Sequence, residues 1–478
     1  MNTLKLAPML TAGRIKARQG DGWLDVLAVI TFAISAALAL TVAGGAWMFY
    51  GWYTDPSPEI AQGFLEISGT AELSGDIASQ ADSVKLWALQ YFILAGFACG
   101  LLVVPVFSLG SSAAQLGAAG RARRLASLRL VGMTGGQTTL MTVAETVVQW
   151  VIGATIGSAA YLATLPLWQH GSFVGQRIIW QHMLLPWWLF ALILLALLLI
   201  AVLSTVSGLQ KVRISPLGVA RHQSSAALRW WRLLVLALAI IIFIAYMLKR
   251  GSYQEIGTWV IISLTLAGVI AGITVAAPFI IQVLAWPLTK VNSVPVLLAA
   301  RRILDNPRAI WRTVSGIILL CFIAGYTSIS SVAFTKDGVT RGDLWFLHDI
   351  RFGVLITLTV GFVVAAIGIL INQASDIFDR GRQTQALRYL GFPTRIFSAT
   401  RLVQSFGPLL VCAILFTTLG RWLASFMIPA SKSNYIESDN LVVLLAVLGI
   451  GLAMCLVALL VVAPLEKRVV LRQGRQND

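Results

Sequence analysis

The chain has 478 residues, of which 58% are hydrophobic and 12% charged, with a mean hydropathy of +0.81. So much apolar surface cannot be hidden in the core of a water-soluble protein, which makes this an integral membrane protein and excludes the soluble globular classes. The formal net charge of +16 is read through topology, because cytoplasmic segments of multispanning proteins collect Lys and Arg; no basic domain stands apart from the apolar runs, so nucleic acid is not an expected partner.

Residues 1–22 hold Lys5, Arg14, Lys16 and Arg18 among small apolar residues, a pattern that predicts an amphipathic helix on the cytoplasmic membrane surface. The next run, about Leu24 to Tyr50, is too long for a signal-peptide core and is expected to be retained as a first span. Trp47, Phe49, Tyr50, Trp52 and Tyr53 mark its interfacial end. Gly51 to Ser83 is polar and acidic and predicts an external connection. The second apolar run, about Val84 to Gly120, exceeds the roughly 20 residues that a bilayer requires, so its last turns should project into the cytoplasm. A third span is expected from about Gln137 to Leu165. A short loop with His170, Arg177 and His182 follows, and then a fourth span from about Leu184 to Val206.

Two more spans, about Trp231 to Leu248 and Trp259 to Leu284, predict a hairpin that separates two halves. PVLLAARRILDNPRAIWR resembles the N-terminal segment in composition. It leads to a span at about Thr313 to Phe334, an external loop TKDGVTRGDLWFLHD, and spans at about Arg351 to Asn372, Ile396 to Phe426 and Leu441 to Val462. About ten transmembrane helices in an all-α polytopic fold place both termini on one side, and the positive-inside rule makes that side the cytoplasm.

Two segments repeat. RARRLASLRLVG from Arg121 returns 259 positions later as RGRQTQALRYLG from Arg380, with Arg121 on Arg380, Arg123 on Arg382, Leu128 on Leu387, Arg129 on Arg388 and Gly132 on Gly391. Five identities in twelve positions point to an internal duplication. Leu125, Leu128, Val131 and Met133 recur at near-helical spacing beside Arg124 and Arg129, which suits a short helix offering an apolar face to a partner. The competing reading is that the arginines only enforce topology.

Glu145 lies about nine residues into the third span, on the order of 13 Å deep. A carboxylate there must be neutralised, paired or wet. Its counterpart at the repeat offset is Gln404, so the position is expected to clasp helices through hydrogen bonds or, alternatively, to line a substrate path. Gly153 and Gly157 make a GxxxG on the same helix, as do Gly96 with Gly100 and Gly268 with Gly272. Cys412 and Phe416 stand at the offset positions of Gly153 and Gly157, so the halves are not expected to pack identically.

No catalytic or metal motif accompanies these features. The sequence has no G-x-x-x-x-G-K-[ST], no H-E-x-x-H and no G-x-S-x-G. Cys99, Cys321, Cys412 and Cys455 sit in apolar runs and read as small buried hydrophobes. The four histidines are scattered and read as solvated loop residues. The chain is not expected to be an enzyme, and its energy must come from a gradient or a partner.

A long span, a basic R-x-R-x-x-x-x-L-R-x-x-G segment, and a following span with Glu and spaced glycines together resemble the FtsX-like permease domain of bacterial ABC transporters, in the MacB-like or type VII architecture. The likeness covers about Val84 to Gln210 and Arg351 to Glu466. It implies two four-helix permease units, residues 23–222 and 291–478, with 223–290 as a linker hairpin between them. It also implies that Arg121 to Met133 and Arg380 to Phe392 are coupling segments that dock on an ABC ATPase, two copies per chain, with ATP and Mg held by that partner and no cofactor in this chain. The implied setting is the bacterial cytoplasmic membrane, and the implied task is export of hydrophobic or amphipathic compounds such as peptides, antibiotics or lipids. The short external connections lack the large outer domain of many such permeases. The alternative is a non-transporting device that passes ATPase motion to an external partner such as a cell-wall hydrolase.

Overall fold

The computed structural model describes residues 22–68, 77–130, 134–213, 229–249, 256–330, 341–391, 393–426 and 439–474. The expected N-terminal amphipathic helix lies outside them. Twelve helices are described: α1 (Gly22–Thr54), α2 (Pro58–Ser68), α3 (Ile77–Leu130), α4 (Gly135–Thr164), α5 (Trp187–Arg213), α6 (Trp231–Lys249), α7 (Ile256–Ala285), α8 (Val294–Asp305), α9 (Pro307–Ser330), α10 (Arg341–Tyr389), α11 (Thr394–Ser425) and α12 (Asp439–Gly474). Among the described residues nine helices are long and apolar enough to cross a membrane, and α9 adds a shorter apolar stretch, Thr313–Ser328. This is a polytopic, mostly α-helical membrane architecture. Trp187, Trp188, Trp230, Trp231, Trp286 and Trp422 are exposed near helix ends, where the amphipathic indole favours the membrane–water boundary.

The helices form two bundles. In the first, α1 packs against α3 and α4, and α5 against α3 and α4; in the second, α9 packs against α10 and α11, and α12 against α10. The bundles meet along α3 and α10 through Val106, Leu109, Val364 and Ile371. Element ends keep the register of the sequence repeat: α3 ends at Leu130 and α10 at Tyr389, while α4 begins at Gly135 and α11 at Thr394, each pair 259 positions apart. At about 1.5 Å per residue, α3 (54 residues) and α10 (49 residues) are each over twice the length of a roughly 30 Å hydrocarbon core. Both therefore continue well beyond the bilayer, carrying the basic segments at their C-terminal ends. With respect to these tips, the opposite end of the bundles is the outer one.

Several expectations change. The hairpin of α6 and α7, expected as a linker, packs on the second bundle. Phe243, Ile262, Val269 and Ile273 join one apolar core with Ile317, Phe322 and Phe416 of the second bundle, and Phe243 meets Tyr326 edge-on at 6.2 Å. The polar connection after α1 contains α2, whose Ile60, Phe64 and Ile67 are buried on α3 and α10. The external loop before the eighth expected span is helical from Arg341 onward. Of the three GxxxG pairs, one lies at a close helix crossing: a Cβ on Gly153 would sit 2.6 Å from Phe32 Cβ, and one on Gly157 would meet the backbone of Ala33 and Ala37 in α1. Gly96, Gly100 and Gly268 face nothing within 4 Å, and Gly272 meets Leu236 and Ala239 inside the hairpin. The second bundle has its own close crossing, displaced by about one turn. Gly325 of α9 abuts the Thr417 backbone, and Gly420 of α11 abuts the Phe322 carbonyl. Glycine-mediated approach of first and third helices thus exists in both bundles, although Cys412 and Phe416 replace the first pair.

Candidate functional site

Among the described residues three regions bear most on function, and they lie at different levels of the bundle. The basic segments come first. Arg121, Arg123, Arg124, Leu125, Leu128 and Arg129 lie in the final turns of α3, and Arg380, Arg382, Leu387 and Arg388 in those of α10. They continue the long helices, so each basic segment is the tip of a helix that extends past the bilayer. Gly391 has φ +89°, the left-handed geometry that closes a helix and that glycine adopts without a Cβ penalty. That requirement explains a glycine at this point of the motif. Gly132, Met133 and Phe392 lie outside the described residues. After the first turn, Thr134 and Gln137 cap α4 reciprocally, with the Gln137 amide N–H donating to Thr134 Oγ1 at 3.3 Å and the Thr134 N–H donating to Gln137 Oε1 at 3.0 Å.

The second region is a polar face inside the first bundle. Thr142, Glu145, Thr146 and Gln149 recur at three- and four-residue spacing along α4, so they share one face, and all four are buried, Glu145 at 2% exposure. Thr146 Oγ1 lies 3.2 Å from Thr205 Oγ1 of α5, and Gln149 Nε2 donates to Asp25 Oδ1 of α1 at 2.8 Å. The face therefore ties α4 to both neighbours by side-chain hydrogen bonds. In the second bundle Gln404 and Ser405 occupy the offset positions of Glu145 and Thr146 and are also buried. There the bond runs elsewhere, from Gln373 Nε2 of α10 to Ser405 Oγ at 2.8 Å. Position 149 corresponds to Pro408, which sits inside α11.

The third region was not singled out from the sequence. Between α4 and α5 the chain folds as a cap: a 3-10 turn Leu165–His170, a two-residue hairpin pairing β1 (Ser172–Phe173) with β2 (Gln176–Arg177), and a 3-10 turn Trp180–Met183. Tyr161 Oη donates to the Met183 carbonyl at 2.6 Å and fixes the cap to α4. The hairpin tip, Val174 and Gly175, has φ +56° and +70°; two successive positive values match the twist of a two-residue hairpin. A β-branched residue there is strained by about 1–3 kcal/mol. Val174 is nevertheless fully buried, set against Gly63 of α2, where a Cβ would lie 2.6 Å from its side chain. Its N–H donates to Asp349 Oδ2 of α10 at 2.7 Å, and Tyr91 Oη of α3 donates to the same oxygen at 2.8 Å. His348, exposed, lies with Nδ1 3.4 Å from Asp349 Oδ1. Phe49, Phe64, Phe173 and Phe346 pack around Tyr91 and the tip.

The remaining expected residues are structural. Cys321, Cys412 and Cys455 are buried free thiols, and Cys99 is partly buried. His170, His182 and His348 are exposed, as read from the sequence, and His348 also stands beside the buried Asp349. Among the described residues no group of three or more His, Cys, Asp or Glu is placed to hold a metal ion.

Comparison with family models finds an FtsX-like permease C-terminal domain over residues 96–217. That stretch runs from the middle of α3 through α4 and the cap to the end of α5, and so includes the first basic segment, Glu145, Gly153 and Gly157. Domains of this kind are non-catalytic membrane components of ABC-type transport systems, which pair with an ATPase subunit. Comparison with curated proteins finds no match to the chain.

Proposed function

We propose that this chain is the membrane subunit of an ATP-driven transporter, built from two FtsX-like permease units with α6 and α7 between them, and that it exports hydrophobic or amphipathic compounds. The matched permease domain in a chain with many membrane-length helices supports a permease role in an ABC-type system. The observation that carries the finer reading is the pair of rods. α3 and α10 meet inside the membrane region, overshoot it, and end in basic segments at the same register 259 positions apart. A partner that grips both tips can move both bundles at once. Arg121 to Met133 and Arg380 to Phe392 are the docking segments, with one ATPase copy on each; ATP and Mg belong to that partner. Glu145 and Gln404 serve as helix clasps, a role supported by the hydrogen-bonded faces on which they lie. The concentration of Arg at the helix tips supports a cytoplasmic location for both termini, in the cytoplasmic membrane of a bacterium.

The test is reconstitution of the chain with its ATPase in vesicles. Substrate-stimulated hydrolysis accompanied by movement of a fluorescent amphipath across the bilayer is the expected result. Hydrolysis that responds to an outer binding partner and to no compound would replace export with mechanical signalling. Leu128→Asp combined with Leu387→Asp should abolish ATPase co-purification while gel filtration of the membrane subunit stays unchanged. Normal assembly of that double variant would refute the docking assignment.

A further inference from the structure

We propose that Asp349 is a latch that holds the outer ends of the two bundles closed, with Tyr91 and the Val174 backbone as its catches, and that it opens when α3 and α10 are moved from their basic ends. The proposal rests on the reading of those helices as ATPase-driven rods. Asp349 is 3% exposed and receives two short hydrogen bonds on one oxygen, from α3 and from the cap between α4 and α5. Three elements distant in sequence therefore converge on one carboxylate, which lies in the second bundle while both donors lie in the first. Hydrogen bonds are directional and weaken steeply once their angles fall, so the contact is either made or lost. Deeper in the membrane, α3 and α10 touch through the apolar Val106, Leu109, Val364 and Ile371, and contacts that are many and individually weak tolerate a small slide.

Two features distinguish a latch from a permanent anchor. Val174 is held at φ +56°, a conformation a β-branched residue keeps only while its surroundings enforce it, so releasing the tip relieves strain. The tip also sits in fitted notches: Gly63 of α2 lies beneath Val174, and Gly175 lies against the Trp345 ring, where a Cβ would come within 2.9 Å. Closure is thus shape-specific and balanced by stored strain, as a two-state contact needs.

Ala88, buried at 1% exposure in the aromatic cluster around Tyr91, reports on the latch. Ala88→Cys is to be labelled with a membrane-impermeant maleimide in reconstituted vesicles, with Ala424→Cys near the outer end of the second bundle as control, since Ala424 is fully buried. Tyr91→Phe keeps the ring and removes one catch; Asp349→Ala removes the acceptor. Both should raise labelling at position 88 at least tenfold without the partner present, with labelling at position 424 and the melting temperature of Tyr91→Phe little changed. In the otherwise unaltered chain, labelling at 88 should rise at least threefold when the ATPase and ATP are added. Protection at 88 in both latch variants would overturn the latch itself. Opening in the variants with no response to ATPase and ATP would overturn the drive from the basic ends and, with it, the rod reading on which the proposal depends.

Discussion

Replacing Gly157 by alanine tests whether the α1–α4 crossing depends on backbone contact. A Cβ at Gly157 would lie 2.8 Å from Ala36 Cβ and 3.0 Å from Ala37 N, and would also meet the Ala33 carbonyl. Carbon atoms rest at about 3.5–4.0 Å, so the helices must part by about 1 Å to seat the methyl. Such a gap forfeits roughly a quarter to a half of the dispersion energy along the crossing, and overpacking a tight site costs about 1–3 kcal/mol. Alanine recovers about 0.5–1 kcal/mol in a helix interior. The net expectation for Gly157→Ala is a loss of about 1–2 kcal/mol, roughly a five- to thirtyfold shift in the folded-to-unfolded ratio. Gly96→Ala carries the same spacing motif but faces nothing within 4 Å, so it should gain about 0.5–1 kcal/mol. Heating the purified proteins in detergent and following the folded peak by gel filtration ranks the three. Gly157→Ala melting at or above the parent, or Gly96→Ala melting as low as Gly157→Ala, would refute the crossing argument.

Gln149→Leu removes the donor at 2.8 Å from Asp25 and should destabilise the first bundle by about 1–3 kcal/mol, because a buried acceptor then loses a partner; an unchanged melting temperature would show the bond to be dispensable. Phe243→Ala empties a fully buried site against Tyr326 and should cost about 3–5 kcal/mol, whereas Ile241→Ala, at 61% exposure on the same helix, should change melting little. Equal effects of the two would mean that the α6–α7 hairpin is not docked as described.

Sequence alone carried the spans well, since twenty-residue apolar runs have few alternatives. It also located both basic segments, because Arg121 to Gly132 and Arg380 to Gly391 share residues and register. The close crossing of the second bundle was hidden because Gly325 and Gly420 lie on different helices and form no spacing motif. Docking of the α6–α7 hairpin was hidden for another reason: a helix apolar on all sides reads the same whether lipid or protein covers it. The Asp349 site was least legible. Tyr91 and Asp349 are 258 residues apart, and Asp349 stands in a polar run whose composition predicts an exposed loop. The pair Val174-Gly175 offers no Asn-Gly or Asp-Gly signal for its hairpin, because the left-handed valine is enforced by tertiary packing against Gly63.

The two seams between the bundles are held by different chemistry, and this sets where the molecule can part. On one side α7 touches both α9 and α3, and its contact with α9 is apolar, through residues such as Val269 and Ile273 in the core shared with Ile317 and Phe322. Such a surface loses little when helices shift by a fraction of an ångström, since its dispersion contacts are many and individually weak. On the other side α1 approaches α10, and the cap, α2 and α10 close over the outer end with Asp349 at the centre. Hydrogen bonds of 2.7 and 2.8 Å to a buried carboxylate weaken steeply once their angles fall. Under the proposed drive from the basic ends, a displacement of α3 and α10 would be taken up by sliding on the α7 side and concentrated as a discrete break on the Asp349 side. Under the same proposal the α6–α7 hairpin would have a role: keeping one seam shut so that opening is confined to the other.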